Sequence, residues 1–311
     1  MKKVGLLFAG QDSQYLGMGK SLYEKYSFVR DLFKEASEIT NYNIEDIIFN
    51  NQELLNKTKY TQIAILVVSI AIYEVLKKEI DFEVVATAGF SLGEYTALYA
   101  SGVFDFKDIV NLVKTRAELM EAASADLGGA MAAIIGMETD VLLELCREIG
   151  DCYIANYNTV GQVVISGVKE NVKKVADIVT STYRKRAIFL NVSGPFHSIY
   201  MKDAAKEYKE KLKDYKYNEL NTKIIMNYNA SELKIDEVFT AMEKQIYSPV
   251  YFQDSINKMI SDLNINLFFE VGPGKVLSGF VRKIDRTKQV ISFESLEDIK
   301  NYKELLNEIK K

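Results

Sequence analysis

The sequence predicts an α/β protein in two parts: a large domain on a mostly parallel sheet, and a small ferredoxin-like domain inserted into it. Three observations carry that prediction. Short apolar runs of strand length alternate with segments of helical period through residue 123. The alternation breaks at Ala125-Asp126-Leu127-Gly128-Gly129. Beyond the break the order becomes strand, helix, strand, strand, helix, strand, which is that of a ferredoxin-like module, and alternation resumes after Gly194.

The elements follow in order. Met1-Lys2-Lys3-Val4-Gly5-Leu6-Leu7-Phe8 begins like a signal segment, but its apolar run is too short and Gln11-Asp12 interrupt it, so 4–8 reads as a first strand. Helices are expected across 20–39 and 58–78. The run 63–72 is the longest apolar run in the chain, yet it is far below membrane-spanning length and ends in Tyr73-Glu74, so it reads as a buried core helix. A strand at 83–88 and helices at 92–100 and 106–123 follow. In the insert, strands at 130–135, 153–156, 162–166 and 186–190 accompany helices at 139–149 and 169–180. The large domain resumes with a helix at 198–213, a strand at 223–227, helices at 235–246 and 251–263, a strand at 266–270, a helix at 275–284, a strand at 289–293 and a last helix at 297–310. The expected domains are 1–124 with 195–311, and 125–194, with a substrate cleft between them.

Composition narrows the function. With 48% hydrophobic and 26% charged residues the chain is globular, and its net charge of −4 argues against a nucleic-acid binder. No segment is expected to enter a membrane. Cys146 and Cys152 form no CxxC and are expected as reduced thiols of a cytoplasmic protein. One histidine and two cysteines cannot build a zinc set of the usual kind, so no metal is expected.

Gly89-Phe90-Ser91-Leu92-Gly93 matches the nucleophile elbow G-x-S-x-G, between a predicted strand and a predicted helix. In such an elbow the serine sits on a strained turn, side chains two residues before and after would collide, and the helix N-terminus points its dipole at the reacting centre. A serine hydroxyl needs a base. The chain has one histidine, His197, in Ser193-Gly194-Pro195-Phe196-His197-Ser198. If Ser91 is a nucleophile with a histidine base, that base is His197.

These blocks and six other stretches resemble bacterial malonyl-CoA:acyl carrier protein transacylases and the related acyltransferase domains of polyketide synthases. The others are Phe8-Ala9-Gly10-Gln11-Asp12-Ser13-Gln14, Thr115-Arg116-Ala117-Glu118-Leu119-Met120, Gln245-Ile246-Tyr247-Ser248-Pro249-Val250 and Glu270-Val271-Gly272-Pro273-Gly274-Lys275-Val276-Leu277, with Ile154-Ala155-Asn156-Tyr157-Asn158 and Gly161-Gln162-Val163-Val164-Ile165-Ser166-Gly167 inside the insert. The resemblance spans nearly the whole chain. It implies an α/β-hydrolase-like large domain with a ferredoxin-like small one, and ping-pong transfer of malonyl from coenzyme A to a carrier-protein thiol, in fatty acid biosynthesis. It implies Ser91 as the acylated nucleophile and His197 as base and acid. It gives Gln11 and the backbone N–H of Leu92 as the oxyanion hole, Arg116 as the holder of the malonyl carboxylate, and the backbone carbonyl of Gln245 as the group that orients His197. It implies malonyl-CoA and acyl carrier protein as partners and no cofactor beyond the coenzyme A thioester; a monomer is expected.

Two departures stand out. The family usually has His before the serine, and here it is Phe90; the first loop usually reads Pro-Gly-Gln-Gly-Ser-Gln, and here Ala9 and Asp12 replace Pro and the second Gly. Two other readings stay open: a free-standing acyltransferase that loads a polyketide synthase, and a serine thioesterase or esterase. A hydrolase triad of the usual order needs an acid between serine and histidine, and Asp126 and Asp151 are candidates outside any recognisable motif. An inactive carrier-protein-binding module is a third. For an acidic carrier protein, the basic clusters are Lys173, Lys174, Arg184, Lys185 and Arg186, and Arg282, Lys283, Arg286 and Lys288.

Overall fold

The structure is a computed structural model that describes residues 1–125, 127–192 and 194–309, the side chain of Ile309 excepted. Asp126 and Ser193, both named above, lie outside the described residues. The chain divides into two compact units. One comprises Met1–Lys114, Lys216–Ile225 and Met259–Lys311, the other Thr115–Tyr215 and Met226–Lys258.

In chain order the elements begin with β1 (Lys2–Phe8), α1 (Lys20–Lys25), α2 (Ser27–Thr40), α3 (Ile44–Phe49), α4 (Gln52–Leu55), α5 (Thr58–Glu79), β2 (Phe82–Gly89), α6 (Gly93–Ala100) and α7 (Phe106–Ala125). Then come β3 (Gly129–Ile135), α8 (Thr139–Ile149), β4 (Cys152–Thr159), β5 (Gln162–Val168), α9 (Lys169–Ser181) and β6 (Arg186–Phe189). The chain continues through α10 (Lys202–Leu212), β7 (Lys223–Ile225), α11 (Val238–Tyr247), α12 (Phe252–Ser261), β8 (Leu267–Val271), α13 (Val276–Ile284), β9 (Gln289–Phe293) and α14 (Leu296–Ile309).

The first unit is built on a parallel sheet in the order β7-β2-β1-β8-β9. β1 is central and buried from Val4 to Phe8, as a near-continuous apolar strand covered on both faces should be. Helix α5 is apolar on every side, and its most apolar stretch is 83% buried inside the protein. A helix without a polar face belongs in a core. On β8, Glu270 is buried and its carboxylate accepts the Leu277 and Ser278 N–H groups at 2.9 and 2.8 Å. These donors open α13, so the acid caps that helix and fixes it to the sheet.

The second unit carries the antiparallel sheet β4-β5-β3-β6, backed by α8 and α9. This is the ferredoxin-like arrangement. The compact unit also takes in residues outside 125–194. The reason is long-range pairing: Val250 N–H donates to Ala155 O at 2.8 Å and Tyr157 N–H to Val250 O at 2.9 Å, which adds the 226–258 segment to β4. Helix α10 joins through the Lys209–Glu243 ion pair to α11. Cys146 and Cys152 are buried free thiols whose sulfurs lie 3.7 Å apart.

Other differences are local. The expected helix 20–39 is two helices, because Tyr26 is extended (φ −114°, ψ 124°). Arg30 Nη1 donates to the Tyr23 and Glu24 carbonyls and so satisfies the end of α1. Helices α3 and α4 were not expected. Each is started by an asparagine cap, Asn43 on Asp46 N–H and Asn51 on Leu54 N–H. One-turn 3₁₀ helices at Ile199–Met201 and Ile235–Glu237 replace the first turns of the helices expected from 198 and 235.

Candidate active site

In the first unit, β1 and β2 run in parallel with Phe8 opposite Gly89, so their following loops leave the same end of the sheet. That carboxyl end is where open α/β sheets bind ligands. Ser91 occupies the β2–α6 turn with φ 51°. A left-handed residue that carries a Cβ costs on the order of 1–3 kcal/mol and persists only where its surroundings over-determine it. Phe90 N–H donates to Phe8 O at 3.0 Å, Gly93 N–H to Phe90 O at 3.0 Å, and Glu94 N–H to Ser91 O at 3.1 Å. A Cβ on Gly89 would overlap the Gly93 carbonyl carbon and the Glu94 nitrogen, and one on Gly93 would overlap the Phe8 carbonyl oxygen. Leu92 is buried and caps α6, whose positive end therefore lies at Ser91.

Gln11 follows β1. It is half-buried, and its Nε2 donates to Thr58 Oγ1 at 3.3 Å. Gly10 abuts the Phe90 carbonyl and ring: a Cβ there would overlap Phe90 O and come within 3.0 Å of the ring. The Gln11 loop and the elbow are thus in direct contact. Asp12, where the resembled family has glycine, adopts φ 73° and shows why glycine suits the position. The residue is exposed, yet packing around its carboxyl pushes the pKa up to about 6.

In the second unit His197, Arg116, Gln245 and Ser248 converge. His197 is 4% exposed, with φ 55°. Its Nδ1 lies 3.0 Å from Gln245 O and 3.1 Å from Ser248 O. Both partners only accept, so Nδ1 carries the hydrogen and Nε2 is left as the acceptor. Burial and the Arg116 charge push the ring's pKa down to about 3, against the pull of those two carbonyls. Arg116 is 1% exposed, and its Nη2 donates to Gln245 Oε1 at 3.1 Å. Gln245 therefore holds the imidazole through its backbone and the guanidinium through its side chain.

A model of the "Acyl transferase domain" family matches residues 6–303. The chain belongs to the acyl transferase family. The chain is similar to the malonyl CoA-acyl carrier protein transacylase of Bacillus subtilis, with 40% identity over 308 residues and 96% of each chain covered. The Haemophilus influenzae protein of that name is 38% identical, covering 98% of this chain and 100% of the other. Among solved structures, the malonyl CoA-acyl carrier protein transacylase of Clostridium perfringens superposes with TM-score 0.91 at 36% identity, over 100% of this chain and 98% of that one. A type II PKS acyl-carrier protein in complex with its malonyl-transacylase superposes with TM-score 0.93 at 31% identity, over 98% of this chain and 100% of that one.

Sequence reasoning missed two members of these clusters. Thr58, the partner of Gln11, carried no motif signal. Ser248 stands in the 245–250 block but contributes a backbone oxygen, which its side chain does not advertise. Asp151 Oδ1 accepts from Tyr200 at 2.9 Å. Of the basic clusters, Arg184, Lys185 and Arg186 are exposed, whereas Lys173 pairs with Asp177 and Lys288 with Asp285. Among the described residues, no group of three His, Cys, Asp or Glu side chains is placed to hold a metal.

Proposed function

We propose that this acyltransferase moves malonyl from malonyl-CoA to the phosphopantetheine thiol of acyl carrier protein, through a malonyl ester on Ser91, in fatty acid synthesis. The observation that carries the acyl specificity is the buried Arg116 held by Gln245. A permanently charged fork inside the protein suits an acyl chain that ends in a carboxylate, and a plain esterase has no use for one.

The chemistry follows from the atoms. Ser91 Oγ attacks the thioester carbon while His197 Nε2 takes its proton. Charge gathers on the carbonyl oxygen, where the Gln11 amide and the Leu92 N–H receive it; one such donor is worth roughly 100- to 1000-fold. The C–S bond breaks, and the coenzyme A sulfur leaves with the proton from His197. In the second half a carrier thiol gives its proton to His197 and attacks the ester, and Ser91 recovers the proton as it leaves. The carbonyls of Gln245 and Ser248 hold Nδ1–H throughout, in the place of a carboxylate. No cofactor is required beyond the thioester itself. The reading places the enzyme in the cytoplasm, with 125–194 as the module inserted into the large domain.

The test is intact-mass measurement after malonyl-CoA is added, with peptide mapping, and then after a carrier protein is added. A malonyl adduct should appear on Ser91 and vanish with the carrier. An adduct on Cys146 or Cys152, or none, overturns the mechanism. A polyketide-loading role has the same chemistry, and a comparison of carriers from the two systems separates it.

A further inference from the structure

We propose that Phe280 is a positioning residue for the Ser91 elbow, acting through Phe90; the inference rests on the reading of Ser91 above. Phe90 is built into the elbow by its backbone, donating to Phe8 and accepting from Gly93, both at 3.0 Å. Its side chain is aromatic and can form no ordinary hydrogen bond, so packing sets where that ring sits. One side of the packing is Gly10, which leaves no room for a Cβ beside the Phe90 ring and carbonyl. Another is Phe280, whose ring centroid lies 5.9 Å from that of Phe90 at an interplanar angle of 51°.

Phe280 is a fixed buttress. It is buried on α13, and the start of α13 is pinned by Glu270, whose Oε2 also accepts from Ser292 at 3.0 Å. Glu270 lies on β8, opposite Leu7 of β1. Sheet, acid cap, helix, Phe280 and Phe90 thus form one continuous support that ends one residue before Ser91. A serine held at φ 51° stays aimed only while such neighbours hold it. The Phe90–Phe280 contact also bears on the Gln11 loop through Gly10. Loss of Phe280 should therefore misplace the nucleophile relative to its oxyanion donors. Malonyl-CoA binding itself should be spared.

The experiment measures the rate of Ser91 acylation by quenched mass analysis, with KM for malonyl-CoA and the melting temperature, in wild type, Phe280→Val, Phe280→Ala, Phe90→Ala and the double variant. Acylation should slow by about 10- to 100-fold in Phe280→Ala, the size expected for a small misplacement of reacting groups. Val should fall between Ala and wild type, and KM should stay within about twofold. Phe90→Ala/Phe280→Ala should be no slower than Phe90→Ala alone, because the two rings act as one support. If Phe280→Ala does not fold, Phe280→Val decides by the same criterion. Wild-type acylation rates in the folded variants, with only the melting temperature lowered, would show a plain core residue. Additive losses in the double variant would overturn the path through Phe90. Absence of any label on Ser91 in wild type would overturn this inference together with the function it rests on.

Discussion

Gln245 binds His197 through its backbone oxygen, at 3.0 Å from Nδ1, and its side chain simultaneously accepts from Arg116. One residue thus sets the tautomer of the imidazole and the position of a cation that shifts the imidazole's pKa. The two roles are separable, because only one depends on the side chain. Gln245→Ala should leave the backbone contact to His197 and remove the side-chain hydrogen bond to Arg116. A hydrogen bond to a charged group contributes about 1.5–3 kcal/mol. Weaker malonyl-CoA binding with a small change in kcat is the expected result. A collapse of kcat at unchanged KM would mean that the side chain serves the imidazole.

The depressed pKa of His197 makes a prediction about stability. The sign follows from proton counts. The folded ring stays neutral down to about 3, whereas an unfolded histidine takes up a proton below about 6.5. Between those values the unfolded state binds more protons, so the contribution of His197 is intact above about 6.5 and drains away as pH falls toward about 3. The limiting slope is on the order of 1.4 kcal/mol per pH unit. Urea unfolding at pH 7.5 and 5 should show a larger loss for wild type than for His197→Asn. Equal losses would place the titration elsewhere.

The same shift governs activity. An unperturbed histidine would cut acylation near pH 6.5; here kcat/KM for malonyl-CoA should show no histidine inflection there. Once a malonyl carboxylate lies on Arg116, the cation's effect on the ring is offset, so the inflection in kcat should lie at higher pH than that in kcat/KM. The two profiles, measured over the stable range, check both statements. His197→Ala should slow acylation by roughly 100- to 10,000-fold.

The elbow and the insert were legible because their signals are local. Gly89 and Gly93 are dictated by atoms within a few residues or on the adjacent strand, and the βαββαβ order shows in hydrophobic period alone. The break at Tyr26 was not legible, since it depends on Arg30 reaching back to two carbonyls. Nor was the pairing of Val250 with β4, about a hundred residues earlier in the chain. Backbone acceptors such as Ser248 O carry no sequence signature at all.

Two glycines should respond oppositely to alanine. Gly93→Ala drives a Cβ into the Phe8 carbonyl and should either fail to fold or lose more than about 3 kcal/mol, beyond ordinary overpacking. Gly279 lies inside α13 with open space where a Cβ would go. Gly279→Ala should stabilise by about 0.5–1 kcal/mol. Thermal unfolding of the two variants is the check, and destabilisation by Gly279→Ala would contradict the space seen around it.

Phe90→His restores the residue usual in the resembled family. No proton transfer is assigned to position 90, so activity should stay within about tenfold of wild type. A thousandfold gain would mark the present chain as an impaired relative and favour the inactive carrier-binding reading.

Arg116 is expected to select malonyl over acetyl. It is 1% exposed, so a carboxylate buried beside it is compensated by the guanidinium, while an uncharged acyl group forms no ion pair with it. Both halves of that argument push the same way, and both vanish with the charge. Arg116→Ala should lose about 2 to 5 kcal/mol in kcat/KM for malonyl-CoA and gain acetyl-CoA in relative terms. Arg116→Lys should recover only part of the loss, because an ammonium offers a point charge where the guanidinium offers a fork. Arg116→Ala also removes the cation that depresses His197, so the ring should titrate higher in that variant. The malonyl-to-acetyl ratio of kcat/KM decides the case. If the ratio barely moves while the pH profile shifts, Arg116 serves the imidazole's electrostatics, and acyl selectivity resides in other side chains.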